Sequence, residues 1–182
     1  MTPTIRRIFN IVSETPAEAF PKPVFMVGLM RSGTTFLVDK MTQHPQLLKL
    51  GVELNDIWSA IGDADCVETC SHKTEADANY EAANNMANYM GHFIDDSKSI
   101  KRHLMRWRHQ SQKGIGRIFY DWENIIPVNK SPHLTNKIRY VHTLFPKSKF
   151  ILIVRSIYGH CSSQKVFFDR EYQQETKINY LP

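Results

Sequence analysis

PVFMVGLMRSGTTF, residues 23–36, decides how the chain is to be read. Residues 23–28 are a short apolar run that ends on glycine, the pattern of a buried parallel strand. Ser32, Thr34 and Thr35 supply N-cap chemistry. Residues 35–43, with Phe36, Leu37 and Met41 at helical spacing, predict a helix. Strand, tight loop and helix follow one another, and backbone N–H groups converge on an anion at such a junction, where the helix dipole favours negative charge. Gly33 lets the backbone approach that anion closely, and Thr34 and Thr35 add hydroxyl donors.

Outward from this unit, strands and helices alternate. The dipeptide His44-Pro45 ends the first helix. Residues 47–50 and 125–129 are short strand candidates, and residues 55–61 and 133–144 read as helices. Residues 76–93 form the longest helix candidate, with Tyr80, Met86, Tyr89 and Phe93 on one face. KFILIV, residues 149–154, is β-branched, continuous and apolar, hence expected to be a strand buried on both faces. A helix over 159–170 should follow it. The alternation predicts an α/β domain with a parallel sheet. Residues 1–22 read as a leader with a short helix at 5–12, broken by Pro16 and Pro21. The domain proper covers 23–182, with a mostly helical insertion at about 54–120.

Composition bounds the function only loosely. The chain has 182 residues, 42% of them hydrophobic and 23% charged, as in ordinary globular proteins. Its net charge of +5 favours an anionic ligand without identifying one. Three cysteines argue against a disulfide scaffold. Cys66, Cys70 and His72 lie close in sequence, but no second ligand pair follows at zinc spacing, so no metal is expected. No apolar run is long enough to span a bilayer, and no signal peptide is visible, so the expectation is cytoplasmic. Residues 98–117 carry seven Lys and Arg and no acidic residue. They read equally well as an anion funnel and as a solvated helix face, with Trp107 an anchor in the core.

The loop from Gly28 to Thr35 has the spacing of a nucleoside-triphosphate-binding P-loop, except that Thr34 stands where the lysine would be. A kinase or NTPase needs that lysine on its β and γ phosphates. Here the cation is Arg31, inside the loop. Arg-Ser-Gly-Thr-Thr after an apolar strand resembles the 5'-phosphosulfate loop of sulfotransferases that use 3'-phosphoadenosine 5'-phosphosulfate (PAPS). A second motif fits the same family. The KFILIV strand ends on Arg155, and Ser163 follows eight residues later, as in the family's 3'-phosphate site; Ser162 leaves the register open by one residue. The family's frequent proline two residues after that arginine is Ile157 here. Asn129-Lys130-Ser131-Pro132 resembles the branch that includes the tyrosylprotein sulfotransferases and bacterial relatives.

The resemblance implies a P-loop-type three-layer α/β/α domain, incomplete at its C-terminus because family members continue past the Ser163 helix. It implies sulfuryl transfer from PAPS, without a metal or nucleic acid, to a hydroxyl or amine acceptor such as a carbohydrate, peptide tyrosine, lipid or small alcohol. Arg31, Ser32, Gly33, Thr34, Thr35, Phe36, Arg155 and Ser163 would hold the donor, with Arg31 and Lys130 as the catalytic cations. Glu53 lies close to the branch's catalytic glutamate. It is the candidate general base, with an N-terminal helix charge as its bland reading. His44 and His133 are the alternatives. Two other functions compete: a P-loop nucleotide kinase or NTPase, and a non-catalytic nucleotide-binding fragment.

Overall fold

The computed structural model describes residues 20, 22–66, 72–99 and 119–178, with side chains through residue 170. Its elements are β1 (Val24–Gly28), α1 (Thr34–Met41), β2 (Leu47–Lys49), α2 (Asn55–Ala60), α3 (Tyr80–Lys98), β3 (Ile126–Lys130), α4 (Ile138–Leu144), β4 (Lys149–Ile153) and α5 (Ile157–Ile178). A 3-10 segment, Pro132–Lys137, leads into α4.

The strands form one four-stranded sheet in the order β2-β3-β1-β4. Every pairing is parallel, with Phe25 level with both Asn129 and Phe150. Alternation along β1 sorts its side chains to two faces. Phe25 and Val27 join Leu48, Leu50, Trp58, Met86, Met90, Tyr140 and Leu144 in the larger core. Met26 points the other way, onto Val38 and Val128, with Leu37, Met41, Ile151 and Ile153 around them. Helix α1 thus covers one face, and α2, α3 and α4 cover the other, giving a three-layer α/β/α domain as the sequence implied. Each fully buried large apolar side chain contributes roughly 1.5–3 kcal/mol. The Phe25 ring, touching Trp58, Phe145 and Phe150, is the middle of that contribution.

Local chemistry moves several boundaries. Helix α3 begins at Tyr80 rather than at 76. Thr74 and Asp77 close a capping box around a 3-10 turn, and Asn79 then caps α3 by accepting from the Ala82 amide at 2.8 Å. The stretch expected as one helix over 133–144 is a 3-10 segment opened by Pro132, then α4. Helix α5 starts two residues early because Ser156 Oγ accepts from the Gly159 amide at 3.3 Å. The expectation that β4 is buried on both faces fails. Among the described residues β4 pairs only with β1, and Leu152 and Val154 are 54% and 82% exposed. A continuous apolar run marks side chains going to both faces, but it does not say whether the strand is central or at an edge. Among the described residues no helix is long and apolar enough to cross a membrane.

Tyr140 ties the α4 layer to the loop after α2. It is fully buried, and its hydroxyl donates to the Gly62 carbonyl at 2.6 Å. Burial, reinforced by Asp63 and Asp77, pushes the phenol well above its ordinary range, so it stays a donor. Tyr140→Phe should cost about 1–2 kcal/mol in urea unfolding, because the Gly62 carbonyl is left without its partner; an unchanged unfolding midpoint would mean the bond adds nothing.

Candidate active site

Because all four strands are parallel, their carboxyl ends share one edge of the sheet, the edge where ligands bind in open α/β folds. The loop after β1, Glu53 after β2, Lys130 at the end of β3 and Arg155 after β4 therefore gather there.

The loop after β1 is shaped by backbone conformations that few side chains tolerate. Gly28 has φ 148°, and a Cβ there would lie 2.6 Å from the Ile153 carbonyl oxygen. Gly33, which precedes the first helical residue, has φ 102°. Arg31 lies in the left-handed region at φ 66°, an unusual place for a non-glycine residue and one that clusters at ligand sites. The Ser32 amide donates to the Leu29 carbonyl at 3.1 Å, closing the turn, and the first α1 bond runs from the Leu37 amide to the Gly33 carbonyl. The preceding first-turn amides have no helical acceptor and point out of the helix end. Thr34 is buried, whereas Arg31 and Thr35 are exposed. Ser32 is 9% exposed, yet its Oγ has no hydrogen-bond partner. A buried hydroxyl without a partner beside free amides is what a phosphate cradle requires. The residues present therefore fit an anionic phosphate group.

Arg155 joins the two ends of the site. Its Nη1 donates to the Arg31 carbonyl oxygen at 2.9 Å, across 124 positions of sequence. A cleft opens beside it, lined by Leu29, Ser32, Thr135, the 152–155 stretch and His160. On α5, Ser163 is half-buried and Ser162 is exposed, so Ser163 lies on the inward side together with His160 and Phe167. The Arg31 guanidinium sits 5.1 Å from the Phe167 ring centroid.

Glu53 and Lys130 meet directly. Lys130 Nζ donates to Glu53 Oε1, and the lysine side chain is 2% exposed. Glu53 Oε2 accepts from Asn55 Nδ2 at 3.1 Å, and Asn55 Oδ1 accepts from the Ser131 hydroxyl at 2.8 Å. Asn129 is anchored from below by Trp58, whose Nε1 donates to Oδ1 at 2.9 Å. Leu54, at φ 49°, turns the chain sharply between Glu53 and Asn55. The carboxylate is thus held at both oxygens, and 31% of its side chain faces solvent.

The other candidates fall elsewhere. His44 precedes β2 and so lies at the opposite, amino edge of the sheet. Its Nδ1 accepts from the Gln46 amide at 3.2 Å, making it a turn residue and removing it as a base for this site. His133 is in the 3-10 segment next to Lys130, and its carbonyl accepts from Lys137. Phe36 is 69% exposed, with Lys40 Nζ 5.9 Å from its ring, and it does not line the cleft. Cys66 is buried, which pushes its thiol up to about 11. Cys70, the helix expected at 5–12 and most of the basic 98–117 stretch, Trp107 included, lie outside the described residues.

Sequence reasoning missed Thr135. Its hydroxyl accepts from the Gly28 amide at 2.9 Å and lies 2.6 Å from the Pro132 carbonyl, clamping the 3-10 segment onto the start of the loop. It also missed the roles of Asn55, which holds Glu53, and of Ser131, which holds Asn55. Only the position of Asn55, two residues past the candidate base, could have signalled it.

Neither the curated proteins nor the solved structures contain a match to this chain. A family model does match, over residues 23–180, and its description is "Sulfotransferase family". That span takes in the loop after β1, the Lys130 strand and the Arg155 strand together, so the chain belongs to the sulfotransferase family.

Proposed function

We propose that this chain transfers a sulfuryl group from PAPS to a hydroxyl or amine acceptor, with Glu53 as the general base. The observation that carries the reading is the Arg155–Arg31 link. A guanidinium at the end of β4 is fixed against the phosphate loop of β1, as a site for two phosphates on one nucleotide requires. Membership of the family supports the chemistry, and the Asn129–Pro132 segment, at the end of β3, favours the tyrosylprotein-like and bacterial branch.

The donor supplies an activated sulfur and a phosphate leaving group; the protein does the rest. The first-turn amides of α1, with Ser32 and Thr34, hold the 5'-phosphate. Arg31 stabilises charge on the sulfonate and the leaving oxygen. Arg155, with Ser163, reads the 3'-phosphate by charge-assisted hydrogen bonds. As the acceptor oxygen or nitrogen forms its bond to sulfur, the bond from sulfur to the 5'-phosphate oxygen breaks, and its electron pair leaves on that phosphate. The acceptor proton passes to Glu53. Lys130, held against Glu53, keeps that carboxylate in place and lies beside the developing negative charge.

Arg155→Ala should weaken binding of adenosine 3',5'-bisphosphate by about 2–5 kcal/mol, while adenosine 5'-phosphosulfate, which has no 3'-phosphate, is far less affected in calorimetry. Equal weakening of both ligands would make Arg155 structural.

Glu53→Gln tests the base. The amide keeps the size of the carboxylate and its oxygen can still accept from Lys130, while its NH2 meets Asn55 once that side-chain amide turns over. Turnover of an acceptor should fall roughly 10²–10⁴-fold, while adenosine 3',5'-bisphosphate still binds, which also confirms the fold. Near wild-type turnover would transfer suspicion to His133.

A further inference from the structure

We propose that His160 is a second, protonatable reader of the donor's 3'-phosphate, which makes donor affinity rise as pH falls. The inference rests on the PAPS reading above and deepens it. His160 lies in the first turns of α5, on the side shared with Ser163 and Phe167, and it is half-buried. It lines the same cleft as Ser32 and Arg155, and among the described residues its side chain makes no hydrogen bond or ion pair; its backbone amide donates to the Ser156 carbonyl at 2.9 Å. A polar ring left without a partner in a cleft points to a ligand when a second group does the same. Ser32 Oγ is that group: nine-tenths buried, unpartnered and lining the same cleft.

The charges around the cleft name the ligand's class. Among the described residues Arg155 is the charged group that shares the lining with His160, and no carboxylate lines it. Arg31 lies across the loop, over Phe167. On α5 itself Lys165, Asp169 and Arg170 are exposed. One Arg155 nitrogen is committed to the Arg31 carbonyl, leaving the rest of its fork for a phosphate. A bound phosphate carrying close to two charges beside His160 favours the protonated imidazole, and the hydrogen bond between them becomes charge-assisted on both sides.

Adenosine 3',5'-bisphosphate is titrated into the wild-type chain and into His160→Gln at about pH 6 and about pH 8. The phosphate's own protonation acts on both proteins alike, so the informative quantity is the ratio of affinities between the two pH values, wild type against variant. Wild type should gain roughly five- to tenfold over the variant at the lower pH, the scale of one partly exposed charge-assisted hydrogen bond. At the higher pH the two should agree within about twofold, which shows that the variant is folded. Adenosine 5'-phosphosulfate should show no such gain. The same pH ratio in both proteins overturns the proposal, and an equal gain with adenosine 5'-phosphosulfate overturns the assignment to the 3'-phosphate. Wild type that binds no bisphosphate at either pH overturns the donor reading itself, an outcome distinct from a His160 failure.

Discussion

A buried ammonium group needs a counter-charge, and the site is arranged around that need. Lys130 is almost wholly removed from water at the end of β3, and Glu53 is the carboxylate that meets it. Leaving that ammonium alone in such a place would typically cost about 3–5 kcal/mol. The pairing therefore fixes where the β2 loop must run. Leu54 takes a left-handed conformation to bring Glu53 over Lys130 and Asn55 back toward Ser131. Beneath it, Trp58 on α2 holds Asn129 in the sheet, so the strand that carries Lys130 is locked to the same helix that Asn55 begins.

The second half of the edge is held by backbone rather than by charge pairing. Thr135 fastens the segment after β3 to the Gly28 amide, and Arg155 fastens the end of β4 to the Arg31 carbonyl. Both attachments fall on the loop after β1, which contains a glycine and an arginine in the left-handed region. Strain of that kind typically costs about 1–3 kcal/mol per non-glycine residue and persists only where neighbours over-determine it. The loop is thereby held in a shape that leaves the first-turn amides without helical acceptors and the Ser32 hydroxyl without a partner, an arrangement that fits an anion. Preorganisation of this sort favours transition-state charge without reorganisation during the reaction.

Much of this was legible in the sequence, for identifiable reasons. The β1 loop is encoded within fourteen consecutive residues, 23–36, and its glycines, hydroxyls and arginine can be read locally. KFILIV declared itself a strand by composition, and Arg155 by its position at the strand's end. What failed was non-local. Glu53 and Lys130 are 77 positions apart, so their contact depends on the register of β2 against β3, which no local pattern carries. Thr135 is one threonine among several until the 3-10 segment places it on Gly28. Whether β4 is central or at an edge depends on strand order, and His44 is excluded only because parallel strands put it at the other edge. The shift of α3 was readable in principle, because Thr74, Asp77 and Asn79 are cap residues.

The central claim, that this edge of the sheet is built for a sulfuryl donor and not for a nucleoside triphosphate, is open to one direct measurement. Calorimetry without magnesium would compare adenosine 3',5'-bisphosphate with ATP on the same chain. With Arg31 in the loop, Thr34 in place of lysine and Arg155 turned to the cleft, the bisphosphate should bind more tightly and need no metal. Equal or tighter binding of ATP, or bisphosphate binding that appears only with magnesium, would contradict the account.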